Sequence, residues 1–171
     1  MTREETWVEV RLARIVQALN SDRQFIYLTE VEGERGFPIM IGNWEASEMD
    51  RIVNGDETKR PLTHQLLHTT IKALGAALKR VDIVDLRDNT YFAQLVLENR
   101  TGDICAVVDA RPSDAIALAL RAGCPLRVTE RVLAAAAQGV AGQGESESES
   151  SESEPDEPEA SGDASDEPSE E

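Results

Sequence analysis

Three groups of residues have types and spacings that can do chemistry. The first is Asp109-Ala-Arg-Pro-Ser-Asp114, which joins the end of an expected strand to the start of an expected helix. Carboxylates with an arginine at a helix N-terminus can hold a divalent ion and a phosphate. The same residues also suit plain architecture. Asp114 falls in the first helical turn, where the dipole favours a carboxylate. Ser113 can cap backbone amides, and Arg111 can pair with Asp109 or Asp114 to fix the turn. By residue type alone, the architectural reading is the stronger.

The second group is His64 and His68. Four residues apart on one helix, they share a face and can both bind a metal. No third ligand accompanies them, so two exposed helix histidines is the default. The third group is Lys59-Arg60 before Pro61. Two bases signal nucleic acid only weakly, and a solvated loop is the default. Loops that cradle phosphates and serine-hydrolase elbows have no support, since G-x-x-x-x-G-K-[ST], G-x-G-x-x-G, G-x-S-x-G and H-E-x-x-H are all missing.

These groups depend on the elements that carry them. Residues 7–16 read as a strand in which Val8, Val10 and Leu12 alternate with their neighbours. Asn20-Ser21-Asp22 is a turn cluster, and residues 25–31 and 37–41 are two further strands joined by a hairpin loop at 32–36. Asn43 should cap a helix whose apolar face is Trp44, Met49, Ile52 and Val53, and Asn54-Gly55 should stop it. Thr63 should cap a linking helix that buries Leu67, Ile71 and Leu74 and closes near Leu78. Strands follow at 81–86, 91–98 and 104–109, the first two joined by Asp88-Asn89 as a two-residue hairpin turn. Asp109 alternates with Val107 and so should point inward with it. Pro112 opens a helix that buries Ile116, Ala119 and Leu120 and ends at Gly123. A short strand at 126–128 and a helix at 131–138 complete the series.

The order is three strands and a helix, a linking helix, then three strands and a helix again. Gly55 and Gly123 close equivalent helices. The expectation is an α+β fold with a mainly antiparallel sheet, built from two similar three-strand-plus-helix units. Glu45 stands at the start of the first unit's helix, as Asp114 does in the second. If the units pair around a pseudo-twofold axis, Glu45 and Asp114 can approach each other.

The net charge of −16 belongs mostly to one end. Residues 145–171 hold 13 of the 33 acidic residues and none of the 17 basic ones, which leaves 20 acidic against 17 basic residues before them. That stretch of Ser, Glu, Asp and Pro lacks the apolar surface to offset the entropy of ordering. The expected organisation is a single domain over 1–138 and an acidic disordered tail over 139–171. The tail serves solubility or adaptation to salt, or competes with nucleic acid for basic surface. No apolar run approaches the ~18 residues of a membrane span. The start has no apolar signal region. Cys105 and Cys124 fit neither a disulfide framework nor a metal site, which suits reduced thiols in a cytoplasmic protein.

Four stretches, in order, are similar to one family. They are Phe37-Pro-Ile-Met-Ile-Gly with Glu45-Ala46; Arg60-Pro-Leu-Thr-His-Gln-Leu-Leu; Asp88-Asn-Thr-Tyr-Phe-Ala-Gln-Leu; and Asp109-Ala-Arg-Pro-Ser-Asp-Ala-Ile-Ala-Leu-Ala. Together they resemble the bifunctional nuclease domain family, over residues 8–133. The resemblance implies hydrolysis of phosphodiester bonds in DNA and RNA, an α+β domain and self-association. Some relatives continue into a short helical module, where this chain has the acidic tail. The matching polar residues are Glu45, Arg60, Thr63, His64, Asp109, Arg111, Ser113 and Asp114. As a nuclease, Asp109 and Asp114, with Glu45, would hold Mg2+ or Mn2+. Arg111 or Arg60 would bind the phosphate beside Ser113 and Thr63, and His64 would act as general acid or base. The alternative is a non-catalytic oligomeric module that regulates or binds protein partners.

Overall fold

The computed structural model describes residues 5–17 and 23–141. The turn cluster at Asn20-Ser21-Asp22 and the acidic tail from 142 onward lie outside them. The described elements are β1 (Trp7–Val16), β2 (Gln24–Glu30), β3 (Gly36–Ile41), α1 (Asn43–Asn54), α2 (Thr63–Ala73), β4 (Ala77–Arg87), β5 (Thr90–Glu98), β6 (Ile104–Ala110), α3 (Pro112–Ala122), β7 (Leu126–Thr129) and α4 (Glu130–Ala141). The last helix thus passes the boundary expected at 138. Among the described residues no helix is long and apolar enough to cross a membrane.

The strands form one seven-stranded mixed sheet in the order β3-β2-β1-β7-β4-β5-β6. Hairpin-linked neighbours pair antiparallel, and the β4–β7 pair alone among those described is parallel. The fold is α+β and mostly antiparallel, as expected. Asp88 and Asn89 make the β4–β5 turn with φ of 48° and 57°, the left-handed conformation that a two-residue hairpin of this kind needs.

The sheet curls. Tyr91 of β5 stacks on Phe37 of β3, ring centroids 5.5 Å apart, and its hydroxyl donates to the Pro38 carbonyl at 3.3 Å. Yet β2, β1, β7 and β4 all stand between those two strands in the sheet. Hydrophobic burial drives the closure. Phe37, Ile26, Leu28, Ile83 and Val128 are fully buried, and α4 adds Val132, Leu133 and Ala136. Truncating a side chain such as Phe37 to Ala would cost about 3–5 kcal/mol. In the same core α3 packs against β4 and β5, and both α1 and α2 pack on α3.

Several local expectations give way to this packing. The caps are Gly42 and Leu62, not Asn43 and Thr63, and neither helix has a side-chain cap bond. The Asn43 side chain instead accepts a hydrogen bond from Gln24 at the start of β2. The linking helix ends at Ala73, and Leu78 belongs to β4, where it is buried. The packed face of α2 is the one carrying His64, His68 and Ile71, whereas Leu67 and Leu74 are exposed. The cause is that α3 meets α2 through a polar pair described below, so the leucine stripe turns outward. In α1, Met49 and Ala46 are buried, but Trp44 is 87% exposed. Asp109 and Val107 are both exposed, on a strand that is the last of the sheet and, among the described residues, is paired along one edge only.

Candidate functional site

Glu45 lies in the first turn of α1 and Asp114 in the first turn of α3. A carboxylate there meets the positive end of the helix dipole. Neither residue caps its helix, and Ser113 does not cap α3. Both carboxylates instead close on Arg111, the N-cap residue of α3. Arg111 Nε donates to Asp114 Oδ2 at 2.8 Å and Nη2 to Oδ1 at 3.2 Å. The same Nη2 lies 3.2 Å from Glu45 Oε1. The ion pair anticipated for Arg111 is therefore present, with Asp114 and Glu45 and not with Asp109.

His64 reaches this cluster from α2. Its Nε2 lies 3.0 Å from Asp114 Oδ1. An ionised carboxylate only accepts, so Nε2 carries the hydrogen and Nδ1 is the basic nitrogen. Burial alone would raise the Asp114 carboxyl. Hydrogen bonds from Arg111 and His64 outweigh that and hold it below the ordinary carboxylate range. Asp114 in turn raises the Arg111 guanidinium further, with a smaller contribution from Glu45. Arg111 remains 68% exposed while it makes these contacts, whereas the His64 side chain is only 15% exposed.

Two members of the cluster, Glu45 and Arg111, with Asp114 and His64 standing behind Arg111, line one end of a cavity of about 570 Å³. Its walls come from the end of β3, the start of α1, the start of β5, and the turn from β6 into α3. This is the gap where the curled sheet brings its two ends near each other. Gly42 makes room beside it: a Cβ there would sit 2.5 Å from Glu45 Oε2, so a side chain at this position would push the carboxylate from its present place.

The structure therefore brings together Glu45, His64, Arg111 and Asp114. Asp109 and Ser113 border the same cavity, Asp109 exposed and Ser113 buried. Arg60 and Thr63 lie on the exposed approach to α2 and do not line it. His68 lies one turn along α2 from His64, on the same packed face. It is half-buried, and burial, then Lys72 and Arg121, lowers its tendency to protonate. Two contributors went unrecognised among the site residues expected from sequence. Gly42 and Tyr91 sat within the matching stretches, but nothing in their types marked them as site residues.

The donor set also bears on Mg2+ or Mn2+. Among the described residues no group of three or more His, Cys, Asp or Glu side chains is placed to hold a metal ion. Glu45 and Asp114 already clasp a cation supplied by the chain, and both oxygens of Asp114 are engaged. That arrangement does not suit a divalent ion between them.

Two relatives from Mycobacterium tuberculosis, Uncharacterized protein MT1877 and Uncharacterized protein Rv1829, are each 42% identical to this chain over 128 residues, 75% of this chain and 75% of the relative. The model of the bifunctional nuclease domain matches residues 26–141. That match takes in α1, α2 and α3 and so all four residues of the cluster, and the chain belongs to the bifunctional nuclease domain family.

Proposed function

We propose that the chain is a nuclease that hydrolyses phosphodiester bonds of DNA and RNA at the cluster around Asp114. One observation carries this reading: Asp114 is shared between a histidine and an exposed arginine. A carboxylate that orients an imidazole prepares it for proton transfer. Through Nδ1, His64 takes the proton from the attacking hydroxyl, which is water, or in RNA also the ribose 2′-hydroxyl. As the new P–O bond forms, the P–O bond to the departing sugar oxygen breaks and that oxygen takes a proton from solvent. Arg111 holds the scissile phosphate and offsets the charge that develops on it. Glu45 keeps Arg111 in place. Asp109 is a second carboxylate at the rim, Ser113 contacts the substrate from the cavity wall, and Arg60 and Thr63 hold the strand where it leaves the site.

A magnesium or manganese ion enters this scheme only by displacing Arg111 from its carboxylates. The test is cleavage of single-stranded DNA and RNA by the full chain, with and without EDTA, beside His64→Ala and Arg111→Ala. RNA cleavage should survive EDTA and fail in both variants. Loss of all cleavage in EDTA would replace the scheme with a metal-dependent one. Undiminished cleavage by His64→Ala would reject the cluster as the site.

The duplication of a three-strand-plus-helix unit stays a proposal. Its support is that each unit's helix supplies one carboxylate, Glu45 or Asp114, to the same arginine. The division into a single domain and an acidic tail, and the cytoplasmic setting, are also proposals.

A second reading, a self-associating interaction module, has its own observation. Ile104, Val107 and Val108 are exposed on β6, an edge strand whose apolar run carries no lysine or proline to discourage pairing. On α2, Leu66 and Leu74 are exposed as well. The two readings are compatible. Light scattering on the wild type and on Val107→Lys decides the second: an oligomer that the substitution dissolves supports it, and a monomeric wild type rejects it.

A further inference from the structure

The cavity beside the cluster has a composition that the cleavage scheme does not use. Ile39, Ile41, Ala110 and Pro112 line it, and Tyr91 borders it. The Tyr91 ring is held on two sides, by its stack on Phe37 and by its hydrogen bond to the Pro38 carbonyl. The charged groups Glu45, Asp109 and Arg111 lie at the end where α1 and α3 begin, and Arg23 lines the cavity just ahead of β2. About 570 Å³ falls within the ~300–1,000 Å³ typical of small-ligand sites.

An apolar cavity with a fixed aromatic wall and an exposed guanidinium at its rim matches a ligand with a flat apolar part joined to an anion. A nucleotide has that form. Resting on the nuclease reading above, we infer that this cavity seats one unpaired nucleobase of a single strand while Arg111 takes the adjoining phosphate. A base stacked in a duplex cannot enter such a cavity, so the seat selects single-stranded substrate. The rim carboxylates also impose a choice among bases. Asp109 and Glu45 can only accept hydrogen bonds, and cytosine, adenine and guanine offer an exocyclic amino group where thymine and uracil carry no amino group. The seat therefore prefers bases that carry an amino group, and among the pyrimidines it prefers cytosine.

The experiment uses the full chain with short fluorescent oligonucleotides and reads affinity by anisotropy before cleavage proceeds. The probes are oligodeoxycytidylate, oligothymidylate, an abasic sugar-phosphate strand of the same length and a duplex. The abasic strand and the duplex should bind about tenfold more weakly than oligodeoxycytidylate, the effect of losing base stacking. Oligothymidylate should fall between them, and Asp109→Asn should erase the preference for cytosine. Equal binding of abasic and base-bearing strands overturns the base seat. If His64→Ala still abolishes cleavage in that case, the nuclease reading stands without it. Binding by thymidylate as tight as by cytidylate overturns the amino-group preference. No binding by any strand, with no cleavage, overturns both readings.

Discussion

His64 Nε2 lies 3.0 Å from Asp114 Oδ1 although the two residues are 50 apart in the chain. This contact joins the linking helix to the start of α3 and turns two ordinary polar residues into an oriented pair. On it rests the expectation for catalysis. His64→Ala should lower kcat on single-stranded RNA by about a hundredfold to ten-thousandfold, the usual contribution of a positioned acid or base. Asp114→Asn should lower it too and should alter the pH profile, because the amide no longer fixes which imidazole nitrogen is basic. Circular dichroism would confirm that both variants keep the fold. A pH profile unchanged by Asp114→Asn would remove Asp114 from its positioning role.

The same carboxylate links stability to pH. In the folded chain Asp114 is held below its ordinary value, which in an unfolded chain is about 3.9. A depressed carboxyl contributes stability that is complete above the unfolded value and is lost as pH falls through the folded one. The stability gap between wild type and Asp114→Asn, measured by urea denaturation, should therefore narrow as the solution is acidified below about pH 4. A gap that stays constant would mean that the contacts with Arg111 and His64 do not support the fold.

Gly42 tests whether the placement of Glu45 matters. The backbone there has φ of −82°, which any residue adopts, so Gly42→Ala strains nothing locally. Its new Cβ would nonetheless displace the Glu45 carboxylate. Oligonucleotide affinity at low salt should rise, since a charge that repels phosphate and neutralises Arg111 moves away. The kcat should fall several-fold, since Arg111 loses an anchor. Glu45→Gln should reproduce the split between KM and kcat. If both substitutions leave kcat as it was, Glu45 is not an anchor for Arg111.

Glu48 shows where α1 and α3 are tied. It is buried at 6% exposure and accepts from Arg51 Nη1 and Arg121 Nη2, each at 2.7 Å. Glu48→Ala would leave these guanidinium groups without their acceptor near the α1–α3 contact. The expected loss is about 3 kcal/mol, the usual cost of removing one partner of a buried ion pair. Thermal and urea unfolding measure it. A loss within experimental error would show that water replaces the carboxylate there.

Much of the fold was readable along the chain. The strand runs of β1 to β6, the Asp88-Asn89 turn and the stops at Gly55 and Gly123 are local chemistry: alternation, tolerance of positive φ and left-handed caps. The matching stretches also held the residues of the site, down to Glu45, His64, Arg111 and Asp114. What each of these does locally was not readable. Ser113 and Asp114 have the types of helix caps, and nothing in the sequence says that the cap is unused. On α2 the leucine spacing pointed one way, while Ile71 and the two histidines took the buried face.

Sequence by itself determined the element types and the inventory of charged residues, because these follow from each residue and its near neighbours. Tertiary structure alone decided that the sheet curls until Tyr91 of β5 meets Phe37 of β3, and that this closure opens the cavity beside α1 and α3. It also decided that Arg111 is shared by Glu45 and Asp114, and Asp114 by Arg111 and His64. The reason is physical. Such contacts bring together residues far apart in the chain, and their geometry depends on how the buried faces of the sheet and helices fit together.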